Sequence, residues 1–200
     1  MQKFGLLGRK KEMTKLWVND AHVPVTFIHV PDQEIIRYKT QENDWYEALV
    51  VWLDKKTSDK KKGQKISYSV VSEFSVVSDF VQSHPQWDVL TALVLEWVDN
   101  VSLSGYGKGK WFQGVMKRFH AHWWQKTRGS KFHRAIGSMG NRKPRRTQMG
   151  HPHAWRMGND HITLKNISII DRFVHDGQHF VAVKWSVPGA YNGLVKMIVS

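Results

Sequence analysis

The sequence predicts a mainly β protein, a small closed barrel of short strands that carries a long, irregular basic loop extension. Three observations support this prediction. Short β-rich runs cover both ends of the chain, no long run has helical periodicity, and all of the excess positive charge lies in one glycine-rich central segment. Several short strands without long helices are typical of a small barrel, which closes on itself and therefore has no exposed sheet edge.

The strands before the central segment are predicted from β-rich runs bounded by polar residues. The run VPVTFIHV alternates most clearly, since Val23, Val25 and Phe27 fall on one face of an extended chain. The Lys-rich stretch at 55–65 is predicted to be a solvated polar loop. The predicted strands of this part are 23–30, 34–40, 46–53, 66–77 and 89–98.

A hairpin is predicted after the central segment. The sequence His175-Asp176-Gly177 is a turn signal, because Asp and Gly tolerate the positive φ values of tight hairpin turns. We therefore predict strands on either side of this turn and, beyond them, the strands that complete the barrel. The predicted strands of this part are 161–171, 172–174, 178–187 and 193–199.

The net charge of +13 is confined to one part of the chain. Residues 104–159 contain six lysines, seven arginines and no acidic residue, whereas the rest of the chain contains 17 basic and 17 acidic residues. A compact domain seldom carries so long an irregular insert unless the insert is functional or disordered. The predicted organisation is a β-barrel domain at 1–103 plus 160–200, with a basic extension inserted at 104–159.

The basic extension has the composition of a nucleic-acid-binding segment. Lysine and arginine neutralise phosphates, and interleaved aromatic side chains such as Tyr106 and Phe132 could stack on unpaired bases. Histidine can reach a base edge or a 2′-hydroxyl group while uncharged. The alternative is a disordered basic tail, which the aromatic content and the mid-chain position disfavour. The candidate RNA-binding residues are Lys108, Lys110, Lys117, Arg118, Arg128, Lys131, His133, Arg134, Arg142, Lys143, Arg145, Arg146, His153 and Arg156.

Motifs for catalysis or metal binding are incomplete in this sequence. The chain has no cysteine, and GYGKGK at 105–110 lacks the spacing of a phosphate-binding loop. The pairs His120/His122 and His151/His153 lack the thiolate or carboxylate that would complete a metal site. No constellation of catalytic carboxylates is apparent. We therefore predict no enzymatic activity, no cofactor and no metal ion.

The basic charge leaves two rivals to a structural RNA-binding protein. A free-standing RNA-modifying or RNA-chaperone enzyme with a basic arm would need a cofactor pocket or catalytic carboxylates. A membrane-surface protein would need an amphipathic basic helix, which the glycine content disfavours. Neither a signal peptide nor a membrane-spanning run is apparent. The prediction is a cytoplasmic protein that binds no membrane and forms no homo-oligomer.

Five sequence motifs occur in order along the chain: FGLLGRKKEMT at 4–14, GKGKWFQGVMKRF at 107–119, RGSKFHRAIGSMG at 128–140, MGN at 157–159 and VPGA at 187–190. Together they resemble large-subunit ribosomal protein three, the L-three family in its bacterial form. The resemblance implies a six-stranded barrel of the translation-protein type and a loop at 118–156 that threads through large-subunit ribosomal RNA toward the peptidyl-transferase region. It also implies a role in early subunit assembly, ribosomal proteins fourteen and nineteen as neighbours, and a cytoplasmic rather than an organellar ribosome.

Ten tryptophans are many for 200 residues, and the resemblance makes eight of them unexpected. The family carries glycine there, and glycine permits a positive φ or a close approach of the backbone to RNA that an indole forbids. We therefore expect strained or protruding indoles, and we hypothesise a codon that the source organism reads as glycine. The alternative is that the indoles are genuine stacking platforms. The positions are Trp45, Trp52, Trp87, Trp111, Trp123, Trp124, Trp155 and Trp185.

Overall fold

The computed structural model describes residues 3–55 and 68–199, and the protein is mainly β, as predicted. The longest described α-helix has six residues, in agreement with the lack of helical periodicity. In chain order the strands are β1 (Phe4–Val18), β2 (Ala21–His29), β3 (Gln33–Lys39), β4 (Ala48–Lys55), β5 (Tyr68–Ser75), β6 (Val89–Leu90), β7 (Asn100–Tyr106), β8 (Phe112–Gln113), β9 (Trp155–Arg156), β10 (His161–His175), β11 (Gln178–Lys184) and β12 (Leu194–Val199). The helices are α1 (Gln41–Asp44), α2 (Ser78–Ser83), α3 (Val115–Phe119) and the 3-10 helix η1 (Ala92–Leu95).

The chain divides into two compact units, which we call the barrel unit (Met1–Gly107 and His161–Ser200) and the basic unit (Lys108–Asp160). The division differs by a few residues from the predicted insertion at 104–159. Residues 104–106 belong to β7, because this strand pairs with β10 as far as Tyr106↔His161 and with β12 as far as Gly105↔Val195. Their backbone hydrogen bonds thus lie in the barrel unit.

Six strands of the barrel unit form a closed barrel in the order β1-β12-β7-β10-β11-β2, and β2 pairs back with β1. All of these pairs are antiparallel. Strand β1 is long enough to pair with β12 from Phe4 to Arg9 and with β2 from Arg9 to Val18. Alternate residues such as Val181, Val183 and Val195 point into a continuous hydrophobic core.

A second sheet of the barrel unit has the order β5-β4-β3-β6. It packs closely on β1, since a Cβ atom on Gly5 would lie 2.1 Å from Cδ1 of Phe74. The buried Gln33 joins the two sheets: its Nε2 donates to the carbonyl of Leu7 and its Oε1 accepts from the amide of Leu7, both at 2.8 Å. The side chain of Gln33 thus satisfies the backbone of β1 just before β2 begins to pair at Arg9.

Two strand predictions are wrong in detail. The predicted strand at 89–98 holds only the short β6, followed by η1, in which Ala92 and Leu95 are both buried. This i, i+3 spacing of apolar residues is helical rather than extended. The separate strands predicted at 161–171 and 172–174 are one strand, β10, with register shifts after Leu164 and Ile169. Bulges of this kind let a long strand bend around a barrel.

Four strands were missed by the pattern, and one predicted loop cannot be compared. Strand β1 carries the charged run RKKE at 9–12, and β7 alternates only Val101 and Leu103 with serines. Strands β8 and β9 have two residues each. The predicted polar loop, from residue 56 on, and the first two residues of the predicted strand at 66–77 lie outside the described residues. The predicted hairpin is confirmed, since β10 and β11 pair up to His175↔Gln178.

The expectation that Trp52 is strained or protruding is wrong. Trp52 lies in β4 and is 5% exposed, in a stretch from Ala48 to Leu53 in which every residue is buried. Strand β4 carries apolar residues on both faces, and both faces are buried.

Candidate nucleic-acid interface

The basic unit begins and ends in a two-stranded stem. Strands β8 and β9 pair through Phe112↔Arg156 and Gln113↔Trp155. The amide of Lys110 donates to the carbonyl of Met157 at 2.8 Å, and the amide of Met157 donates to the carbonyl of Trp111 at 2.9 Å. These bonds hold the two ends of the basic unit side by side.

Gly158 is required by the close approach of the two chains in this stem. Its φ is 72°, and a Cβ atom there would lie 2.2 Å from the carbonyl oxygen of Lys108 and 3.1 Å from the amide nitrogen of Lys110. Any other residue would clash with backbone that cannot move independently. The stem therefore depends on a glycine at this position.

Helix α3 follows the stem and carries two charged side chains of the basic unit. It begins after Gly114, and Lys117 and Arg118 lie in its last turn, where positive charge is favourable. The guanidinium of Arg118 donates through Nη1 to the carbonyl of His153 at 2.8 Å and lies 4.8 Å from the ring centroid of Phe119. One N–H group of Arg118 thus binds the segment that leads back to the stem, while its other N–H groups remain available to a partner.

The middle of the basic unit is held by isolated polar and aromatic contacts. The indole Nε1 of Trp124 donates to the carbonyl of Ala135 at 3.0 Å, and Nδ1 of His133 lies 3.1 Å from the carbonyl of Gln125. The guanidinium of Arg134 lies 4.7 Å from the ring of Trp123. Such contacts fix a local path of the chain without enclosing a core.

No residue of the basic unit is buried, and the structure describes every one of them. Three of the predicted RNA-binding residues, Arg118, His133 and His153, are half-buried. The other eleven are exposed: Lys108, Lys110, Lys117, Arg128, Lys131, Arg134, Arg142, Lys143, Arg145, Arg146 and Arg156. The prediction thus selected side chains that solvent, or a partner, can reach.

The charge of the basic unit is not compensated from within. Its thirteen basic side chains face a single acid, Asp160. No side chain of this unit forms an ion pair among the described residues. The ion pairs that those residues do form, such as Arg37–Asp44 and Lys39–Glu73, belong to the barrel unit. The exposed surface of the basic unit is consequently a strongly positive one, which favours a polyanionic partner.

Three of the unexpected tryptophans protrude from the basic unit with an ordinary backbone. Trp123 and Trp124 are each 49% exposed and Trp155 is 60% exposed, and none of them has a positive φ. Trp155 and Met157 also line an apolar cavity of about 470 Å³ with Trp111 and Phe112. Sequence reasoning missed this cavity because pairing of β8 with β9 brings together residues more than forty positions apart.

Neither a metal site nor a membrane span is found in the described part of the chain. The rings of His151 and His153 lie 5.0 Å apart, but no group of three potential ligands assembles around them or elsewhere among the described residues. Within those residues, no helix is long and apolar enough to cross a membrane.

The chain is similar in sequence to members of one known protein family. The model of the family "Ribosomal protein L3" matches residues 56–179. The large ribosomal subunit protein uL3 of Deinococcus radiodurans is 32% identical over 197 residues, which cover 96% of this chain and 92% of that one. The uL3 of Thermotoga petrophila is 32% identical over 95% of this chain and 94% of its own, and that of Oceanobacillus iheyensis is 33% identical over 96% and 95%.

Proposed function

This chain belongs to the ribosomal protein L3 family, and we propose that it is a structural constituent of the large ribosomal subunit whose basic unit binds large-subunit ribosomal RNA. The single observation that carries the RNA-binding proposal is the basic unit: thirteen basic side chains, one acid and no buried residue. A unit without a core gains little from hydrophobic burial, and its like charges repel. Phosphates supply the missing counter-charge.

The proposed roles follow from exposure and chemistry. The exposed lysines and arginines of the basic unit contact phosphates, which position the protein without reading sequence. The half-buried His133 and His153 contact base edges or 2′-hydroxyl groups, and the 2′-hydroxyl is the group that distinguishes RNA from DNA. The exposed ring of Phe132 is available to stack on an unpaired base.

Salt dependence tests this proposal quantitatively. If about 8 to 12 basic residues each neutralise one phosphate, the logarithm of the affinity for ribosomal RNA should fall with the logarithm of salt concentration with a slope of roughly −6 to −10. The measurement is a filter-binding titration of the full chain at several salt concentrations. A slope shallower than about −3 would show that the basic unit is not the RNA-binding element.

A matched pair of variants separates the basic unit from net charge. Replacing Arg142, Arg145 and Arg146 with glutamine removes three charges from the basic unit, and replacing Lys3, Lys15 and Lys165 with glutamine removes three exposed charges from the barrel unit. The first variant should lose about 2 to 3 of the salt slope and the second should lose much less. Equal losses would contradict a localised interface.

We propose further that the basic unit extends toward the peptidyl-transferase region. The support is the family membership together with the length of the unit, from Lys108 to Asp160. Because the chain has no cysteine, single variants Asn141→Cys and Lys15→Cys can each carry a tethered iron chelate. Cleavage of ribosomal RNA near the peptidyl-transferase region should come from position 141 and not from position 15. Cleavage elsewhere from position 141 would overturn this part of the proposal.

The remaining parts of the proposal concern the barrel and its surroundings. The barrel unit is of the translation-protein type, the chain acts early in subunit assembly in the cytoplasm, and ribosomal proteins fourteen and nineteen are its neighbours. The support is the six-stranded closed order of the barrel and the family membership. Reconstitution of the large subunit without this chain should lower incorporation of those two proteins, and undiminished incorporation would argue against the proposed neighbours.

A further inference from the structure

Four tryptophans have a backbone conformation that is typical of glycine. Twelve described residues other than glycine have φ in the left-handed region, and six of them are Asn or Asp, which tolerate it. Four of the other six are tryptophan: Trp45 (φ 67°), Trp87 (72°), Trp111 (55°) and Trp185 (70°). Tryptophan is a bulky residue for which this region is a genuine outlier.

The other aromatic residues provide an internal control. The chain has nine phenylalanines and five tyrosines, all of them described, and none has a positive φ. If the fold tolerated large rings in this conformation, phenylalanine and tyrosine would share it, because they meet the same steric conflict at Cβ. The positive φ values are therefore specific to positions encoded as tryptophan and are not a general property of large aromatic residues.

Hydrogen bonds on both sides hold Trp185 in this conformation. Its amide donates to the carbonyl of Pro24 at 2.8 Å, and its carbonyl accepts from Oγ1 of Thr26 at 2.7 Å. Both partners belong to β2, a strand of the barrel. Relaxing φ to a negative value would break the attachment of residue 185 to β2, so the fold selects the conformation whatever the side chain.

Trp87 is held in the same way. The amide of Asp88 donates to the carbonyl of Pro85 at 3.2 Å, which closes a turn with Trp87 at its third position. A positive φ at that position is the mark of a type II turn, which calls for glycine. The amide of Trp87 also donates to the carbonyl of Ile35 at 2.9 Å, so the turn is anchored to β3.

Trp45 and Trp111 also occupy positions where glycine is the usual solution. Trp45 is the left-handed cap that ends α1, with φ 67° and ψ 1°, and helices commonly end on a glycine in this conformation. Trp111 precedes β8 and accepts the hydrogen bond from Met157 in the stem of the basic unit.

The four indoles are more exposed than buried, so their burial contributes little to the stability of the fold. The exposed fractions are 85% for Trp45, 59% for Trp87, 88% for Trp111 and 56% for Trp185, whereas the buried Trp52 has an ordinary strand conformation. Strain is normally retained where the surrounding contacts over-determine it or where function uses it. At these sites the surrounding structure fixes the backbone conformation, whereas the tryptophan side chain is largely exposed to solvent.

We infer that residues 45, 87, 111 and 185 are glycine in the protein that the source organism makes, because a codon written here as tryptophan is translated there as glycine. Tryptophan has one codon, UGG, in the standard code, and UGA is a codon that is read as stop in that code and as an amino acid in others. The inference does not rest on the proposed function, since it follows from backbone geometry at four separate sites.

The decisive test is the mass of tryptic peptides from the native source. Peptides 111–117 and 185–196 begin with the residue in question, and each should be lighter by about 129 Da than the sequence as written, the difference between an indole side chain and a hydrogen atom. Peptide 16–37, which contains Trp17 in β1, is the control and should have the written mass. In the gene, positions 45, 87, 111 and 185 should all carry UGA. Tryptophan in either test peptide, or UGG at any of the four positions, would overturn the inference.

Recombinant variants test the conformational argument separately. The triple variant Trp45→Gly, Trp87→Gly, Trp185→Gly should have a higher melting temperature than the chain as written, because it relieves three strained positions of the barrel unit. The control Trp97→Gly removes an indole that is 92% exposed and has no positive φ, and it should give no increase. A lower melting temperature of the triple variant than of the control would contradict the inference.

Discussion

At the scale of single residues, the barrel unit depends on polar side chains whose partners lie far away in sequence. Lys10 is buried, and its ammonium group donates to the carbonyls of Val187 and Gly189 at 2.6 and 3.2 Å. Gln33 pairs with both backbone groups of Leu7. Nothing in the sequence around these residues reveals their partners, because hydrogen-bonding capacity is visible in a sequence whereas the geometry that uses it is not.

Replacing Gln33 tests how much such a contact contributes. In Gln33→Leu, the amide and the carbonyl of Leu7 lose their partners in a buried environment, and we expect the free energy of unfolding to fall by about 2 to 4 kcal/mol. Chemical denaturation measures the loss. The matched control is Gln86→Leu, which removes an exposed hydrogen bond to the carbonyl of Ile36 and should cost well under half as much.

Tyr38 should give the barrel unit a specific sensitivity to alkaline pH. Its hydroxyl donates to the carbonyl of His84 at 2.7 Å, and burial, assisted by the nearby Asp88 carboxylate, raises the pKa of Tyr38 from 10.0 to about 12. Because the folded state holds this proton more tightly, the stabilisation is complete below pH 10 and is lost as the pH rises toward 12. Tyr38→Phe should cost about 1 kcal/mol at neutral pH, and this difference should shrink above pH 10. A difference that is independent of pH would contradict the assignment.

The candidate site was more predictable than the core at this scale. Eleven of the fourteen proposed RNA-binding residues are exposed, because lysine and arginine without acidic neighbours have no internal partner and stay in solvent. The same reasoning could not find the half-buried contact of Arg118 with the carbonyl of His153. That contact depends on the stem, which brings together two segments 35 residues apart.

At the scale of elements, patterns succeeded for strands rich in apolar residues and failed for strands that are largely polar or very short. The alternation of residues 23–30 predicts most of β2, whose observed bounds are Ala21–His29. Strand β1 was missed because its polar second half belongs to a long strand shared between two neighbours. The 3-10 helix η1 was read as a strand because four apolar residues in a row fit either structure.

The stem of the basic unit provides a test at this scale. Gly158→Ala should disrupt the pairing of β8 with β9, because its Cβ would meet the carbonyl oxygen of Lys108 at 2.2 Å. Amide hydrogen exchange at Lys110 and Met157 should become faster, and the affinity for ribosomal RNA should fall. Gly150→Ala is the matched control, since Gly150 also has a positive φ, 78°, but nothing lies within 4 Å of its added Cβ. Equal effects of the two variants would show that strain in φ, and not the clash, is responsible.

At the scale of the whole molecule, the two units should differ sharply in stability when no RNA is bound. Residues 120–155 have no buried side chain, whereas the barrel unit encloses a continuous core. We expect rapid amide hydrogen exchange over 120–155 and slow exchange in the barrel strands, measured on the free chain. Addition of ribosomal RNA should slow exchange in the basic unit. Strong protection of residues 120–155 in the free chain would contradict this expectation.

The position of β12 between β1 and β7 has a consequence for the order of events during translation. The ring of strands cannot close until residues Leu194–Val199 have been made, and by then the ribosome has already synthesised the whole of Lys108–Asp160. At elongation rates of about 5–20 residues per second, the interval between Asp160 and Leu194 is roughly 2 to 7 s. During that time the nascent chain contains the whole basic unit, but its barrel is not yet closed. Nearby polyanions can therefore bind the basic unit before the barrel that will carry it has formed.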